Sequence, residues 1–130
     1  MLLTGHIGKL VKVSGGIMNT HSREADCRVE LLVAAGLRAG VSRDNLMKIL
    51  DSATTTEAIA YLEEEKKTKP VMDYLMERII YYMNKRAGGK MKIECILYDN
   101  QYGELAKSEG AEEFLHELQH ENVNANETTI

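Results

Sequence analysis

Apolar residues spaced three and four positions apart fill the middle of this chain, between short β-branched runs near its two ends. Such spacing places apolar side chains on one face of a helix, whereas a strand alternates with period two. A first helix is predicted over 23–38, with Thr20 or Ser22 as its cap and Gly40 beyond its end. Its apolar positions are Ala25, Val29, Leu32, Val33 and Gly36. The fold must therefore bury helix faces.

Two further helices have clear start signals. Ser42 is a suitable cap for a helix over 43–51, and Val41 with Leu46 predicts a hydrophobic staple across that start. Thr54 and Glu57 have the spacing of a capping box for the next helix. That helix would carry Ile59 and Leu62 on its apolar face.

The second half of the chain predicts a long helix, a strand hairpin and a last helix. The long helix begins near Pro70, a residue tolerated in a first turn, and ends at Gly88-Gly89. Its apolar side carries Met72, Leu75, Ile79 and Met83. KIECILYD alternates as a strand, and DNQYG followed by ELAKS predicts the returning strand. A helix over 111–119 precedes the polar tail 121–130, which we expect to be mobile.

The beginning of the chain is less regular. MLLT predicts a short buried strand that stops at Gly5. Beyond it, Val11 and Val13 favour a strand, while Lys9 and Lys12 would share one helical face, so periodicity leaves both structures open. The element order predicts a single mixed α/β domain over 1–120, with helices packed on a small sheet, and does not fix the strand order.

Composition narrows the function classes. No run of 18 apolar residues occurs and the first residues lack the features of a secretory signal, so we expect a cytoplasmic protein without a membrane partner. Cys27 and Cys95 form no CxxC pair, and we interpret both as buried thiols. The net charge of −4 combines a basic part over 1–43 with an acidic remainder. Nucleic acid is therefore an unsuitable partner, but the basic part could bind an anionic small molecule.

The stretch from Gly5 to Arg28 holds the densest set of reactive residues. Gly5 and Gly8 would let backbone amides approach a ligand, and Lys9 with Lys12 would then complete a cradle for a carboxylate or phosphate. The spacing matches neither a P-loop nor a dinucleotide fingerprint. A tight turn with solvated lysines explains the same glycines, and residues 20–22 could serve only as a capping segment.

The segment GHIGKLVKVSGGIMNTHSREADCRVELL resembles the signature of the cobalt-precorrin-5B C1-methyltransferase family, GHxGK followed by a glycine-containing spacer and THSxxADxR. The matching positions are Gly5, His6, Gly8, Lys9, Lys12, Gly16, Thr20, His21, Ser22, Ala25, Asp26 and Arg28. The downstream pattern is similar to that family's carboxy-terminal region over residues 1–120. The resemblance implies the carboxy-terminal domain of a larger enzyme whose longer amino-terminal part is absent here.

The resemblance further implies transfer of a methyl group from S-adenosylmethionine to carbon 1 of a cobalt-containing tetrapyrrole, in anaerobic cobalamin biosynthesis. The cobalt belongs to the substrate, and no resident metal is expected. The substrate-binding positions that it implies are Gly5, His6, Gly8, Lys9, Lys12, Thr20, Ser22 and Arg28, where basic side chains would pair with ring carboxylates. His21 or Asp26 could be a general base. A structural histidine, and an aspartate placed in the first turn of a helix, explain the same residues.

Alternative readings stay open from the sequence. The chain could be a stand-alone anion-binding or interaction module without catalysis, or a structural domain whose charged residues are only solvated. His116 and His120 are four positions apart but have no third ligand nearby, so we expect a solvated face. Under the enzyme hypothesis the isolated chain is inactive and associates with itself or with the missing region through Met1–Leu3. The side chains expected to converge on one cleft are His6, Lys9, Lys12, His21, Ser22 and Arg28.

Overall fold

The computed structural model describes residues 1–18, 26–89 and 91–117. The elements, in chain order, are β1 (Leu2–His6), α1 (Ile7–Leu10), a 3-10 helix (Val13–Gly15), α2 (Arg28–Ala39), α3 (Arg43–Leu50), α4 (Thr55–Glu64), α5 (Thr68–Ala87), β2 (Glu94–Asp99), β3 (Gly103–Lys107) and α6 (111–117). The predicted α/β class, with helices packed on a small sheet, is confirmed. Thr20, His21, Ser22, Ala25 and the tail 121–130 lie outside the described residues.

The three strands form one sheet in the order β1-β2-β3. β1 runs parallel to β2, with Leu2 opposite Glu94 and His6 opposite Tyr98. A parallel pair needs a crossover connection, which helices α1 to α5 supply. β2 and β3 form the predicted antiparallel hairpin. Because parallel strands end at the same side of a sheet, the carboxyl ends of β1 and β2 meet there.

The start of the chain differs in detail from the sequence prediction. β1 continues through His6 instead of stopping at Gly5, and it is half-buried instead of buried. Residues 7–10 and 13–15 are helical, which resolves the open question between strand and helix. His6 causes the change, because its Nδ1 accepts a 2.9 Å hydrogen bond from the Gly8 amide and so caps α1. The buried side chains Ile7, Val11 and Val13 then join the core.

Two predictions about the start of α2 were wrong. The helix begins at Arg28 with Cys27 in the cap position, so neither Thr20 nor Ser22 caps it, and Asp26 precedes the first turn instead of lying in it. Cys27 is only partly buried, whereas the second thiol, Cys95, is buried as expected. Cys27 makes no side-chain capping hydrogen bond, so it does not give the first amides of α2 the partner that Ser or Thr would provide at that position.

The predicted caps of α3 and α4 are confirmed. The Ser42 hydroxyl accepts from the Asn45 amide at 3.3 Å, and the Thr54 hydroxyl accepts from the Glu57 amide at 3.1 Å. The Glu57 carboxylate reaches back to the amide of Ala53 at 2.9 Å, one residue earlier than in the standard box. These contacts fix the first turn of α4, which borders the signature.

The core lies between the helices and the sheet. On α5, Met72, Leu75 and Ile79 are buried as predicted, and the helix ends at Gly88, whose φ of 67° is left-handed. Helices α3 and α4 add Leu46, Ile49, Ala58, Ile59 and Leu62. Among the described residues, no helix combines the length and the apolar character needed to cross a bilayer.

Candidate functional site

The carboxyl ends of the two parallel strands bring His6 and Asp99 together. His6 Nε2 lies 3.4 Å from Asp99 Oδ1, and the His6 ring meets the Tyr98 ring edge to face at 5.7 Å between centroids. Since Nδ1 accepts the Gly8 amide, the neutral ring carries its proton on Nε2, facing the carboxylate. Both ring nitrogens thus have protein partners, so the ring position is fixed.

Asp99 is a buried carboxylate with four neighbours that can donate. Oδ1 accepts from the Thr56 hydroxyl at 2.8 Å, and Oδ2 accepts from the amides of Gln101 at 2.8 Å and Tyr102 at 3.2 Å. Burial alone would raise the pKa of this carboxyl, but these hydrogen bonds and the nearby His6 outweigh burial and lower the pKa. Asp99 is therefore an anion that ties β2 to the first turn of α4.

Gly8 lies directly against that first turn. A Cβ at this position would lie 3.0 Å from His6 Nδ1 and 3.3 Å from Oγ1 of Thr55, which is itself buried. Gly5 has a comparable packing role, since a Cβ there would lie 2.7 Å from a methyl carbon of Leu10. The amide of Gly8 binds His6 instead of remaining available to a ligand. Gly8 thus allows close packing against α4, and Gly5 allows close packing against α1.

Asp26 and Arg28 lie at the amino end of α4. The Arg28 guanidinium donates to both carboxylate oxygens of Asp26, at 2.9 and 3.2 Å. That hydrogen bonding, aided by the charges of Arg28 and Lys12, lowers the pKa of Asp26. A carboxylate with a lowered pKa is a weaker base, which favours a role in orienting the guanidinium. The pair borders a small cleft of about 100 Å³ whose other walls include residues 52–55.

The two signature lysines differ in environment. Lys9 is exposed on α1, whereas Lys12 is almost fully buried, with a relative exposure of 1%. The positive charge of Lys12 is the smallest of the causes that lower the pKa of Asp26. A buried ammonium needs polar neighbours. The ammonium of Lys12 can therefore hold polar groups around Asp26 in a fixed arrangement.

The structure brings the described signature residues to two sides of the α4 start. Gly8 and His6 lie on one side with Asp99, while Asp26 and Arg28 lie on the other. The small cleft is lined by Asp26 and Arg28 and not by His6, Lys9 or Lys12. Because His21 and Ser22 fall outside the described residues, convergence of all six side chains on one cleft stays a prediction. His116 is exposed, as expected for a solvated face.

Sequence reasoning missed Asp99, Thr55 and Thr56. Asp99 is the first residue of the DNQYG turn, and its carboxylate accepts hydrogen bonds from two amides of that turn. Aspartate is favoured at such a position. That pattern could have indicated the hydrogen bonds within the turn. It could not have indicated the Thr56 contact, which joins residues 43 positions apart.

A cleft of about 670 Å³ lies at the opposite end of the sheet, between α5 and the start of β2. Its charged lining consists of Asp73, Glu77, Lys92, Glu94, Lys107 and Glu109. No signature residue contributes to it, and Lys107 already pairs with Glu104 and Glu112. We therefore place the candidate site at the amino end of α4, where signature residues and a buried anion meet.

Comparison with known proteins identifies a family for this chain. Residues 19–109 match the family model described as "CbiD, C-terminal domain", a range that includes THSxxADxR and the whole of α4. The chain is similar to proteins named cobalt-precorrin-5B C(1)-methyltransferase, with 41% identity to that of Ruminiclostridium cellulolyticum over 81% of this chain and 27% of the relative. For Alkaliphilus metalliredigens the identity is 37%, over 95% of this chain and 32% of the relative.

A third relative, from Methanocaldococcus jannaschii, is 39% identical over 83% of this chain and 29% of its own length. The chain thus spans less than a third of each of these relatives. No solved structure matches it. A family match over most of the chain shows that the chain belongs to the CbiD family through its C-terminal domain.

Proposed function

We propose that this chain is the substrate-handling domain of an S-adenosylmethionine-dependent methyltransferase that methylates carbon 1 of cobalt-precorrin-5B in anaerobic cobalamin biosynthesis. It acts together with the rest of the enzyme and is inactive alone. The observation that carries the proposal is the position of the signature, whose two halves border the first turn of α4 in a chain of the CbiD family.

The positive side chains near the amino end of α4 suit the binding of an anionic tetrapyrrole. Arg28 is held by Asp26 with its fork in a fixed orientation, and a guanidinium of that kind can bind a carboxylate with two parallel hydrogen bonds. Lys9 is exposed nearby in sequence on α1 and can add a second ion pair. In this proposal Gly5, Gly8 and His6 support the site by packing, and Thr20 and Ser22 complete it.

The methyl donor supplies the group that carbon 1 receives and leaves as S-adenosylhomocysteine. The described residues do not fit this donor well. It carries a sulfonium and an ammonium as well as a carboxylate. The four acidic side chains of the cleft between α5 and β2 suit the positive groups, but one of the two lysines there, Lys107, is already paired with Glu104 and Glu112, and none of the described residues that line the cleft is a glycine, which would allow close approach of backbone amides. We therefore assign donor binding to the rest of the enzyme and derive no step for it here.

His21 is the better of the two general-base candidates. Asp26 has a lowered pKa and both of its oxygens accept from Arg28, so it holds a proton poorly near neutral pH. In the full-length enzyme, His21→Ala should reduce kcat if His21 is the base. If His21 is structural instead, the same variant should lower the melting temperature and leave kcat of the folded fraction unchanged.

Contact with the rest of the enzyme is assigned to β1. This strand pairs only with β2 among the described residues, so its other edge can accept a strand. Met1 is 44% exposed, and Leu2 and Leu3 are half-buried, which leaves apolar surface at that edge. Association with a second copy of the chain is the competing outcome in solution.

A chimera tests the proposal. The carboxy-terminal third of the Ruminiclostridium cellulolyticum relative is replaced by this chain, and methyl incorporation from labelled S-adenosylmethionine into cobalt-precorrin-5B is measured. We expect turnover by the chimera and none by this chain or by the truncated relative alone. Normal turnover by this chain alone would contradict the claim that it is incomplete. A folded chimera without activity would contradict its role as the substrate-handling domain.

A further inference from the structure

Cations and tyrosines alternate along one face of α5. Tyr74, Arg78, Tyr82 and Lys85 follow at intervals of four, four and three residues, so they share that face. The Arg78 guanidinium lies 5.1 Å from the ring centroid of Tyr82 and 4.7 Å from that of the adjacent Tyr81. It also donates to the Tyr82 hydroxyl at 3.1 Å. We call the following six residues the α5 ladder: Arg38 of α2, with Tyr74, Arg78, Tyr82, Lys85 and Arg86.

The ladder is strongly cationic in an acidic chain. Arg38 lies 5.2 Å over the Tyr74 ring, so four positive side chains line one surface of a chain whose net charge is −4. In the parts of the chain that the structure describes, none of the four forms an ion pair with a carboxylate. Like charges on one surface repel one another, and a bound anion would relieve that repulsion.

Helix dipoles explain only some of these cations. Arg38 lies in the last turn of α2, and Lys85 and Arg86 lie in the last turn of α5, where positive charge is favourable in any protein. Arg78 lies in the middle of α5 and gains nothing comparable from the dipole. It is half-buried, and two tyrosine rings fix its planar fork. A fixed guanidinium that lacks a carboxylate partner is suited to binding one.

The family signature contacts the ladder through Gly16. A cleft of about 280 Å³ is lined by Gly16, Met18 and three ladder residues, Tyr82, Lys85 and Arg86. Gly16 has a left-handed φ of 85°, and a Cβ there would lie 3.0 Å from Cε1 of the Tyr82 ring. Gly16, which lies in the spacer between the two halves of the signature, therefore lets the Tyr82 ring pack closely, and that ring contacts Arg78. This contact connects the ladder to the same segment that reaches the amino end of α4.

We propose that the α5 ladder binds the peripheral carboxylates of a macrocyclic polyanion, which is the tetrapyrrole of the proposed function. The identity of the ligand rests on that function. Arg78 pairs with one ring carboxylate through its fork, Lys85 and Arg86 pair with others across the cleft, and the tyrosines hold the guanidinium groups in place. The ladder thus forms a second contact region for the substrate, on α5, in addition to the signature residues at α4.

Titration of the chain with uroporphyrin tests this inference. Uroporphyrin carries an acetate and a propionate on every pyrrole ring, and coproporphyrin, which lacks the acetates, serves as the less anionic probe. We expect saturable quenching of uroporphyrin fluorescence by the chain, weaker binding of coproporphyrin, and loss of affinity as salt rises. A single-stranded oligonucleotide competes poorly if the site recognises the macrocycle. Equal competition by the oligonucleotide would overturn the inference in favour of a general anion surface.

Matched variants locate the binding. Arg78→Gln and Lys85→Gln should each weaken uroporphyrin binding by roughly tenfold, as expected for a lost charge-assisted pair. Lys48→Gln is the control, because Lys48 lies 5.8 Å over the Tyr61 ring outside the ladder, and its change should stay within about twofold. Lys85 is exposed, so its variant remains informative even if Arg78→Gln fails to fold.

Two results would overturn the inference. One is the absence of uroporphyrin binding by the wild-type chain, and the other is an equal loss of affinity in Lys85→Gln and Lys48→Gln. Neither result bears on the proposed methyl transfer, which the chimera measures without reference to the ladder.

Discussion

Replacing Asp99 by asparagine should destabilise the fold at neutral pH. The carboxylate accepts from the Thr56 hydroxyl and from the amides of Gln101 and Tyr102. Asparagine can keep one oxygen on the two amides, but its NH2 group then faces His6 Nε2. Because His6 Nδ1 already accepts from Gly8, two donors would oppose each other.

The expected loss is about 1.5–3 kcal/mol, the usual worth of a hydrogen bond to a charged group. That is a large fraction of a total stability of roughly 5–15 kcal/mol for a domain of this size. Folding lowers the pKa of Asp99. Its contribution to the free energy of unfolding is therefore complete above the pKa of the unfolded chain, about 3.9, and is lost as pH falls through the pKa of the folded state. The difference between wild type and variant should therefore shrink in acid.

Urea unfolding at pH 7 and in steps down to about pH 3 measures both effects. Asp73→Asn is the matched control, because Asp73 is 52% exposed and pairs only with the exposed Lys69, so its cost should stay below about 0.5 kcal/mol. Equal stability of wild type and Asp99→Asn at neutral pH would refute the reasoning. So would a difference that persists unchanged in acid.

Three other expectations follow from the site and the core. Gly8→Ala should cost about 1–3 kcal/mol in urea unfolding, because the new methyl presses on Thr55, and an unchanged midpoint would contradict this close packing. A thiol reagent should modify Cys27 in the native chain, while Cys95, whose pKa burial raises to about 12, should react only after unfolding; two fast native thiols would be inconsistent with that burial. In the full-length enzyme, Lys9→Ala should raise KM more than it lowers kcat, and wild-type kinetics would remove Lys9 from the site.

Local signals predicted most of the helices. Ser42 and Thr54 cap their helices as expected, because a cap is decided within four residues of sequence. The start of α2 was misplaced for the same reason, since Thr20 and Ser22 look like caps locally but the helix begins only at Arg28. The strand or helix ambiguity after Gly5 was resolved by His6, whose capping role no periodicity reveals.

The long-range contacts around the candidate site could not be predicted from the sequence. The signature drew attention to His6 and Gly8, but His6 contacts Asp99 and Tyr98 of β2, and Gly8 packs against Thr55 of α4, all of which are distant in sequence. The Asp99 contact with Thr56 could not be inferred from spacing, and neither could the contact of Gly16 with Tyr82. Contacts of this kind depend on how the helices cross the sheet, which the sequence pattern left open.

The parallel pairing of β1 with β2 has a consequence for synthesis. Met1 meets Lys92, 91 positions later in the chain, and every helix from α1 to α5 lies between the two strands. During translation β1 therefore emerges from the ribosome long before its partner exists, and its apolar edge must wait unpaired while the helices form. Pairing across such a separation is slow, because the long loop must close first. A chaperone that shields the nascent β1 should raise the yield of folded chain more than one that acts after release.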